Sequence, residues 1–315
     1  MWIVLSFISA VCLGCYDICK KIALRENAVL DVLTLSVCVS AVVLSVPLVL
    51  SRCCPEMMMG TVFFVPELDM AVHVYVVLKS LLVLSSWVFA YMSLKHLPLS
   101  VVSPLQATRP MWTLVGAMVL FGERLNGWQW VGVLLALGSI LQFTINNAQL
   151  TKHNEQLTIN GRYYVALGLA ILLGACSGLY DKYLMRSYDH NAVQVYYTMY
   201  QAVMMVMVWI GVRVRGLEDE RMRGQLTIHN VGFTMHNVGV IVLISLFLIV
   251  SDNVYMLALR DPESLIAVVS TIRRGGAVIG FGYGLVWLKE SDPLPKLLCM
   301  FGILAGLICL AIGSV

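Results

Sequence analysis

Arg109 stands in "VSPLQATRPMW", inside an apolar run from Leu99 to Phe121. A guanidinium at the centre of a membrane helix costs ~2.5–3.5 kcal/mol on insertion scales. Its helical neighbours Gln106, Thr113 and Gly116 make a polar, small-residue stripe on an otherwise apolar segment. Arg273, followed by Arg274 in "STIRRGG", repeats the pattern, with Ser270 behind it and Gly276 and Gly280 beyond. Cations placed this way can line a cavity that binds an anion. They can equally be closed into ion pairs with Asp17, Asp181 or Asp252, and the two readings are compatible in different conformations. The same carboxylates are candidates to carry a coupling proton, because burial disfavours their ionised form. Asp17 and Asp181 lie near helix ends, where a structural role is the alternative. Trp87 and Tyr91 share one helical face and Asp252 and Tyr255 another, and these aromatics, with Tyr16 and Tyr180, could stack on and orient a solute. Bundle packing or interfacial anchoring is the plainer reading of each.

Other chemistries lack their residues. The six histidines show no His-Glu or Ser-His-Asp pattern at helical spacing, and no ATP-binding motif occurs. Cys12, Cys15 and Cys19 have no matching His/Cys pair elsewhere, so neither a metal site nor a cofactor is expected. A formal charge of +3 over 315 residues gives no reason to expect nucleic acid.

The elements that position these groups must be membrane helices. Hydrophobic residues make up 59% and charged ones 12%, about half the charge of a soluble domain. Windows of roughly 20 apolar residues fall at 2–22, 30–50, 71–94, 100–121, 127–147, 163–185, 192–213, 236–259, 264–288 and 294–314, ten spans in all. Arg109 would lie about 13 Å into the fourth, near the midplane. Lys79 in the third reads as a snorkelling side chain. Trp128 and Trp130 open the fifth at the expected interfacial belt, and Gly276, Gly280 and Gly284 give the ninth a smooth packing face. The first segment has no positive n-region and no A-x-A site, so it reads as a helix rather than a signal peptide. The connections are too short for a soluble domain.

Sliding the chain by 164 residues places Gly14, Tyr16 and Asp17 on Gly178, Tyr180 and Asp181, and "NAV" at 27–29 on "NAV" at 191–193. Tyr91-Met92 then falls on Tyr255-Met256, Pro98 on Pro262, Ser100 on Ser264 and Arg109 on Arg273, with Glu123 falling near Glu290. The chain therefore reads as an all-α integral membrane protein of two five-span repeats, 1–148 and 163–315, joined by a linker at 149–162. A unit with an odd number of spans starts its second copy from the opposite side, so the halves are inverted.

With "SLKHLPLSVVSPLQATRPMWTLVGAMVLFGERLNGWQWVG" and its echo "YMLALRDPESLIAVVSTIRRGGAVIG", the chain resembles the EamA-type repeat of the drug/metabolite transporter superfamily. That resemblance implies a ten-helix secondary transporter, not an enzyme, acting on a small organic solute in the bilayer as a monomer. Basic residues on helices four and nine hold anionic substrate in the triose-phosphate-like branch, and Arg109, Arg273 and Arg274 match those helices. Proton or exchange coupling and alternating access follow as expectations, with a bacterial inner membrane as the location. A non-transporting receptor or assembly subunit is the alternative, and a membrane-embedded enzyme a more distant one. The resemblance implies cytoplasmic termini, whereas loops after odd-numbered spans carry twelve Lys/Arg against five after even-numbered ones, which alone puts both termini outside.

Overall fold

A chain segment in hydrocarbon must satisfy its own backbone hydrogen bonds, so apolar runs of this length become helices. The computed structural model describes residues 1–23, 27–96, 105–106, 108–151, 161–222, 238–286 and 293–313, and no strand occurs among them. The helices are α1 (Trp2–Ala23), α2 (Val29–Cys53), the short α3 (Pro55–Met58), α4 (Met70–His96), α5 (Arg109–Phe121) and α6 (Gly127–Thr151), then α7 (Gly161–Ser187), α8 (His190–Met222), α9 (Val238–Arg260), α10 (Ile266–Arg274), α11 (Ala277–Val286) and α12 (Pro293–Gly313). Among the described residues six helical stretches are long and apolar enough to cross a membrane: Trp2–Lys20, Leu30–Cys53, Met70–Ala90, Gly161–Ser187, His190–Val214 and Val238–Arg260. Arg109–Phe121 and Leu297–Gly313 are shorter apolar helices.

The outer faces fit lipid. Val4, Ile8 and Val11 on α1, and Leu297, Phe301, Leu304, Ile308 and Ile312 on α12, are exposed at spacings of three and four residues. Such apolar stripes have no place on a soluble surface. The chain is an all-α, multi-pass membrane protein.

Two expected spans are interrupted. The helix expected to run through 100–121 is described from Arg109, after a turn at Thr108 with i→i+3 bonds from Thr108 N–H to Leu105 O (3.1 Å) and from Met111 N–H to Thr108 O (2.9 Å). Pro110 explains the interruption: it has no N–H to continue the helical ladder back to Gln106, so it is accommodated in the first turn of a new helix. The run 264–288 divides after Arg274, where Gly275 N–H reaches Ile272 O (2.9 Å) and Val278 N–H reaches Gly275 O (3.0 Å) in a tightened turn. Both arginine positions therefore adjoin a helix discontinuity.

The 164-residue offset reappears in the helix ends. Ala23 closes α1 and Ser187 closes α7, while His96 closes α4 and Arg260 closes α9. Pro98, Ser100 and Glu290 of the sequence match lie outside the described residues.

The chain forms two compact units, each drawn from both halves of the sequence: Met1–Cys15 with Leu81–His190 and Val250–Val315, and Tyr16–Ser80 with Asn191–Ile249. In the first, small residues set the packing. Gly132 on α6 and Gly306 on α12 are so close that a Cβ on either would lie 2.7 Å from the other's carbonyl oxygen. A Cβ on Gly276 would lie 2.3 Å from Ala10 O, so α1 passes directly over the α10–α11 junction. Gly280 meets nothing within 4 Å, and the side of Gly284 lies outside the described residues; the expected glycine face narrows to Gly276. The second unit has two apolar clusters, one of Ala23, Val32, Ile241 and Ile244 and one of Leu44, Val65, Ala192 and Val195. Asp31 accepts from Trp209 Nε1 (2.6 Å) and pairs with Arg213 (2.9 Å) in the same unit.

Candidate functional site

Arg109, the first residue of α5, turns its guanidinium onto α4 and α7 within the first unit. Nη2 donates to Ser86 Oγ at 2.7 Å, and Ser86 Oγ donates on to Ala170 O at 2.8 Å. The guanidinium lies on the bare backbone of Gly174, where a Cβ would come 1.3 Å from Nη2. Thr113 Oγ1 donates back to Arg109 O (3.3 Å). Among the described residues Arg109 meets no carboxylate, and its Nε is buried without a hydrogen-bond partner.

Arg273, in the last turn of α10, repeats this geometry with one difference. Its Nη2 donates to Ser251 Oγ (3.4 Å) and to the Asp252 carboxylate on α9. Its Cζ lies 4.3 Å from the Tyr255 ring centroid, a cation–π contact within the same cluster. Its Nε, too, is buried and unpartnered. Ser251 is anchored in turn, since its Oγ donates to Ser9 O (3.0 Å) and Ser9 Oγ donates to Ser251 O (2.8 Å). Each arginine thus reaches a serine 22 or 23 residues earlier in the chain.

Of the residues singled out from sequence, Arg273, Asp252 and Tyr255 are in direct contact. Asp181, buried on α7, bears electrostatically on Arg273 and Tyr255, and the charge of Arg274 bears on Arg109 and Tyr255. Arg274 itself is exposed. Tyr180 stacks on Tyr183 (5.8 Å between centroids, 23° between planes). Trp87 is half-buried beside Ser86, and Gln106 is half-buried just before α5. The Tyr91 side chain lies outside the described residues. Tyr16 and Asp17 belong to the second unit, where Tyr16 packs on the Ala23 cluster beneath Lys20 (5.5 Å) and Asp17 is exposed.

Three arrangements escaped the sequence reading. Lys182, buried at 1% exposure, donates to Ser264 Oγ, Ser264 O (2.6 Å), Leu259 O (3.3 Å) and Asp261 O (3.4 Å), stapling the carbonyls that α9 leaves open at its end. Glu123, just past the left-handed Gly122 (φ 64°) that closes α5, accepts from Ile266 N–H (2.7 Å) and Ala267 N–H (3.2 Å) and so caps the start of α10. Burial pushes its carboxyl above the usual range against the pull of those two donors. Lys79 does not snorkel: it is 2% exposed inside the second unit, with Nζ 4.4 Å from the Tyr197 ring centroid. Distance from a helix end was legible in sequence, and the side on which α8 packs was not. Among the described residues no group of three or more His, Cys, Asp or Glu side chains could hold a metal ion.

Residues 1–145 match the EamA-like transporter family. No curated protein matches the chain. A solved structure, described as "Crystal structure of protein", superposes with a TM-score of 0.71 at 10% identity, covering 99% of this chain and 96% of that one. That likeness speaks for the fold. The family whose pattern fills the first 145 residues is one of transporters, not enzymes.

Proposed function

We infer that the protein is a secondary transporter that moves a small organic solute, anionic by preference, across a plasma membrane, the bacterial inner membrane, by alternating access. Ten spans form two inverted five-helix repeats, 1–148 and 163–315, and one chain is the working unit. Proton or solute exchange drives the cycle, with Asp181 and Asp252 as the coupling carboxylates of the first unit and Asp17 as a third candidate. The EamA-like match over residues 1–145 supports the class.

The observation that carries the anion preference is the pair Arg109 and Arg273, each beside a helix discontinuity and each with a buried Nε that has no hydrogen-bond partner among the described residues. Interrupted helices are where transporters of inverted-repeat type place substrate. Arg109 sits at the positive end of α5, where a cation is disfavoured by ~0.3–1 kcal/mol and an anion favoured. The guanidinium and the first-turn N–H groups point to the same negatively charged occupant. Trp87, Tyr91, Tyr180, Tyr255 and Gln106 are the residues that would orient its uncharged part, and Arg274 and Tyr16 the outlying candidates.

The test is a thermal-stability screen of purified protein against organic acids, phosphorylated sugars, amino acids and cationic drugs. A ligand at 100 times its Kd adds about 2.7 kcal/mol to the folded state. Anions are expected to raise the melting temperature of the native protein and to lose that effect in Arg109→Gln and Arg273→Gln. Stabilisation by neutral or cationic compounds alone, unchanged in both variants, overturns the anion reading. Flux into proteoliposomes that ignores both a pH gradient and unlabelled solute on the far side overturns the coupling.

A further inference from the structure

The connector between α2 and α4 has no charged residue from Met57 to Pro66, although Arg52 and Glu56 precede that run and Glu67 and Asp69 follow it. Four of its large apolar side chains, Met57, Met59, Val62 and Phe63, are 64–72% exposed. Met58 is buried between them, and Val65 is buried in the cluster with Leu44, Ala192 and Val195.

The exposed side chains stand on a backbone that the protein holds in place. Val65 N–H donates to Ser51 Oγ (3.1 Å), and Asn191 Nδ2 on α8 donates to the carbonyls of Val62 (2.6 Å) and Phe64 (3.1 Å). Turns within the segment satisfy further groups: Met59 N–H reaches Pro55 O (2.8 Å), Thr61 N–H reaches Met58 O (3.0 Å) and Phe64 N–H reaches Thr61 O (3.3 Å). Gly60 supplies the left-handed backbone (φ 89°) that these turns require. Arg52 closes the neck of the loop, pairing with Glu67 (3.3 Å) and donating to the Tyr196 hydroxyl (2.9 Å). Partners of this kind are what backbone groups need where lipid replaces water.

The apolar surface continues on both sides. Val42, Val46 and Val49 are exposed towards the end of α2, and Met70, Val74 and Leu78 at the start of α4. In chain order the exposed connector side chains lie between these two stripes. The scaffold does not demand an apolar connector: at the 164-residue offset Gly60 falls on Gly224, but Met57 and Met59 fall on Arg221 and Arg223. The repeats share the turn glycine and differ in what flanks it.

We propose that residues 55–64 are an interfacial anchor, a surface that binds the lipid of one leaflet of the protein's own bilayer. Met57, Met59, Val62 and Phe63 enter about 5–10 Å into the boundary between headgroups and acyl chains, the depth at which apolar faces of interfacial segments lie. Arg52, Glu56, Glu67 and Asp69 stay at headgroup level. A connector held in water would keep four large apolar side chains against solvent, whereas lipid continuous with α2 and α4 covers them. The anchor sets the depth at which α2 ends and α4 begins.

The experiment attaches a nitroxide, one position at a time, to Met57→Cys, Val62→Cys and Phe63→Cys in a cysteine-free background of the full-length protein. The protein is reconstituted in vesicles of phosphatidylethanolamine and phosphatidylglycerol. Collision of each label with oxygen, which concentrates in lipid, is compared with its collision with a neutral nickel chelate, which stays in water. Val46→Cys is the lipid reference, and Asn154→Cys in the polar linker is the water reference. The oxygen-to-nickel ratio at all three connector positions is expected to lie several-fold above that of Asn154→Cys and close to that of Val46→Cys. Met58→Cys is expected to be screened from both reagents. A connector ratio equal to that of Asn154→Cys puts the loop in water and overturns the proposal. Weak collision with both reagents at the three positions also overturns it, because protein such as a second copy of the chain then covers them. If Met58→Cys does not fold, the three exposed positions decide alone.

Discussion

Arg109 and Arg273 are alike in sequence context and unlike in compensation. Asp252 neutralises Arg273, while Arg109 rests on the Ser86 hydroxyl and the backbone of Gly174. The unbalanced charge is therefore at Arg109, and Gly174 is what lets it lie flat on α7. In Gly174→Leu the side chain would occupy the guanidinium's place, so Arg109 must swing away and lose Ser86. Overpacking of this kind costs about 1–3 kcal/mol. The expected outcome is a modest drop in ligand-free melting temperature with complete loss of the anion-dependent rise, and an intact rise would show that the Gly174 seat does not prepare the site. The arginines were legible in sequence because a charge in an apolar run stands out. Ser86 and Gly174 were not, because serine and glycine are ordinary in membrane helices and only the packed structure shows which ones a guanidinium touches. The role of Lys182 was hidden for the same reason, as its four oxygen partners come from residues 259–264.

At the scale of elements, six of the expected spans followed from apolar length alone, and the interruptions did not. Pro110 announces one of them. The other is a glycine pair whose meaning depends on what crosses it, and α1 crosses it closely enough that Gly276 cannot carry a side chain. Gly276→Val would drive a methyl-bearing carbon into Ala10 O, a backbone atom with little freedom to yield, and is expected to destabilise the fold by roughly 3 kcal/mol. Gly280→Val, four residues on and facing open space, is expected to stay within about 0.5 kcal/mol. Melting temperatures of the two variants beside the native protein check the contrast; equal effects would mean that the small-residue face, rather than the α1 crossing, governs this helix. The Glu123 and Lys182 contacts bracket the connector between α9 and α10 from its two ends, which gives the α10 side of the discontinuity a fixed start while its far end turns at glycine.

At the scale of the whole molecule, the 164-residue correspondence links features of different kinds: paired arginines, matching helix ends, and two compact units each assembled from both halves. The asymmetries are as informative, since Asp252, Met57 and Met59 have no counterpart of like chemistry in the other repeat. A duplicated scaffold would supply the architecture, and the residues that break its symmetry would supply what each half does differently. The proposed inversion has a consequence that charge counts alone leave in conflict. On the proposed topology, ten spans would return both termini to one side and a five-span first repeat would put residues 149–162 on the other. In a background with the nine cysteines replaced by serine or alanine, a single cysteine introduced by Asn154→Cys is expected to react with a membrane-impermeant maleimide from the face opposite to that labelling Ser314→Cys. Labelling from the cytoplasmic face at Ser314→Cys would also settle the orientation in favour of cytoplasmic termini, and from the other face in favour of the Lys/Arg count. Reaction of both positions from one face would require an even number of spans between them, which the inverted repeat cannot accommodate.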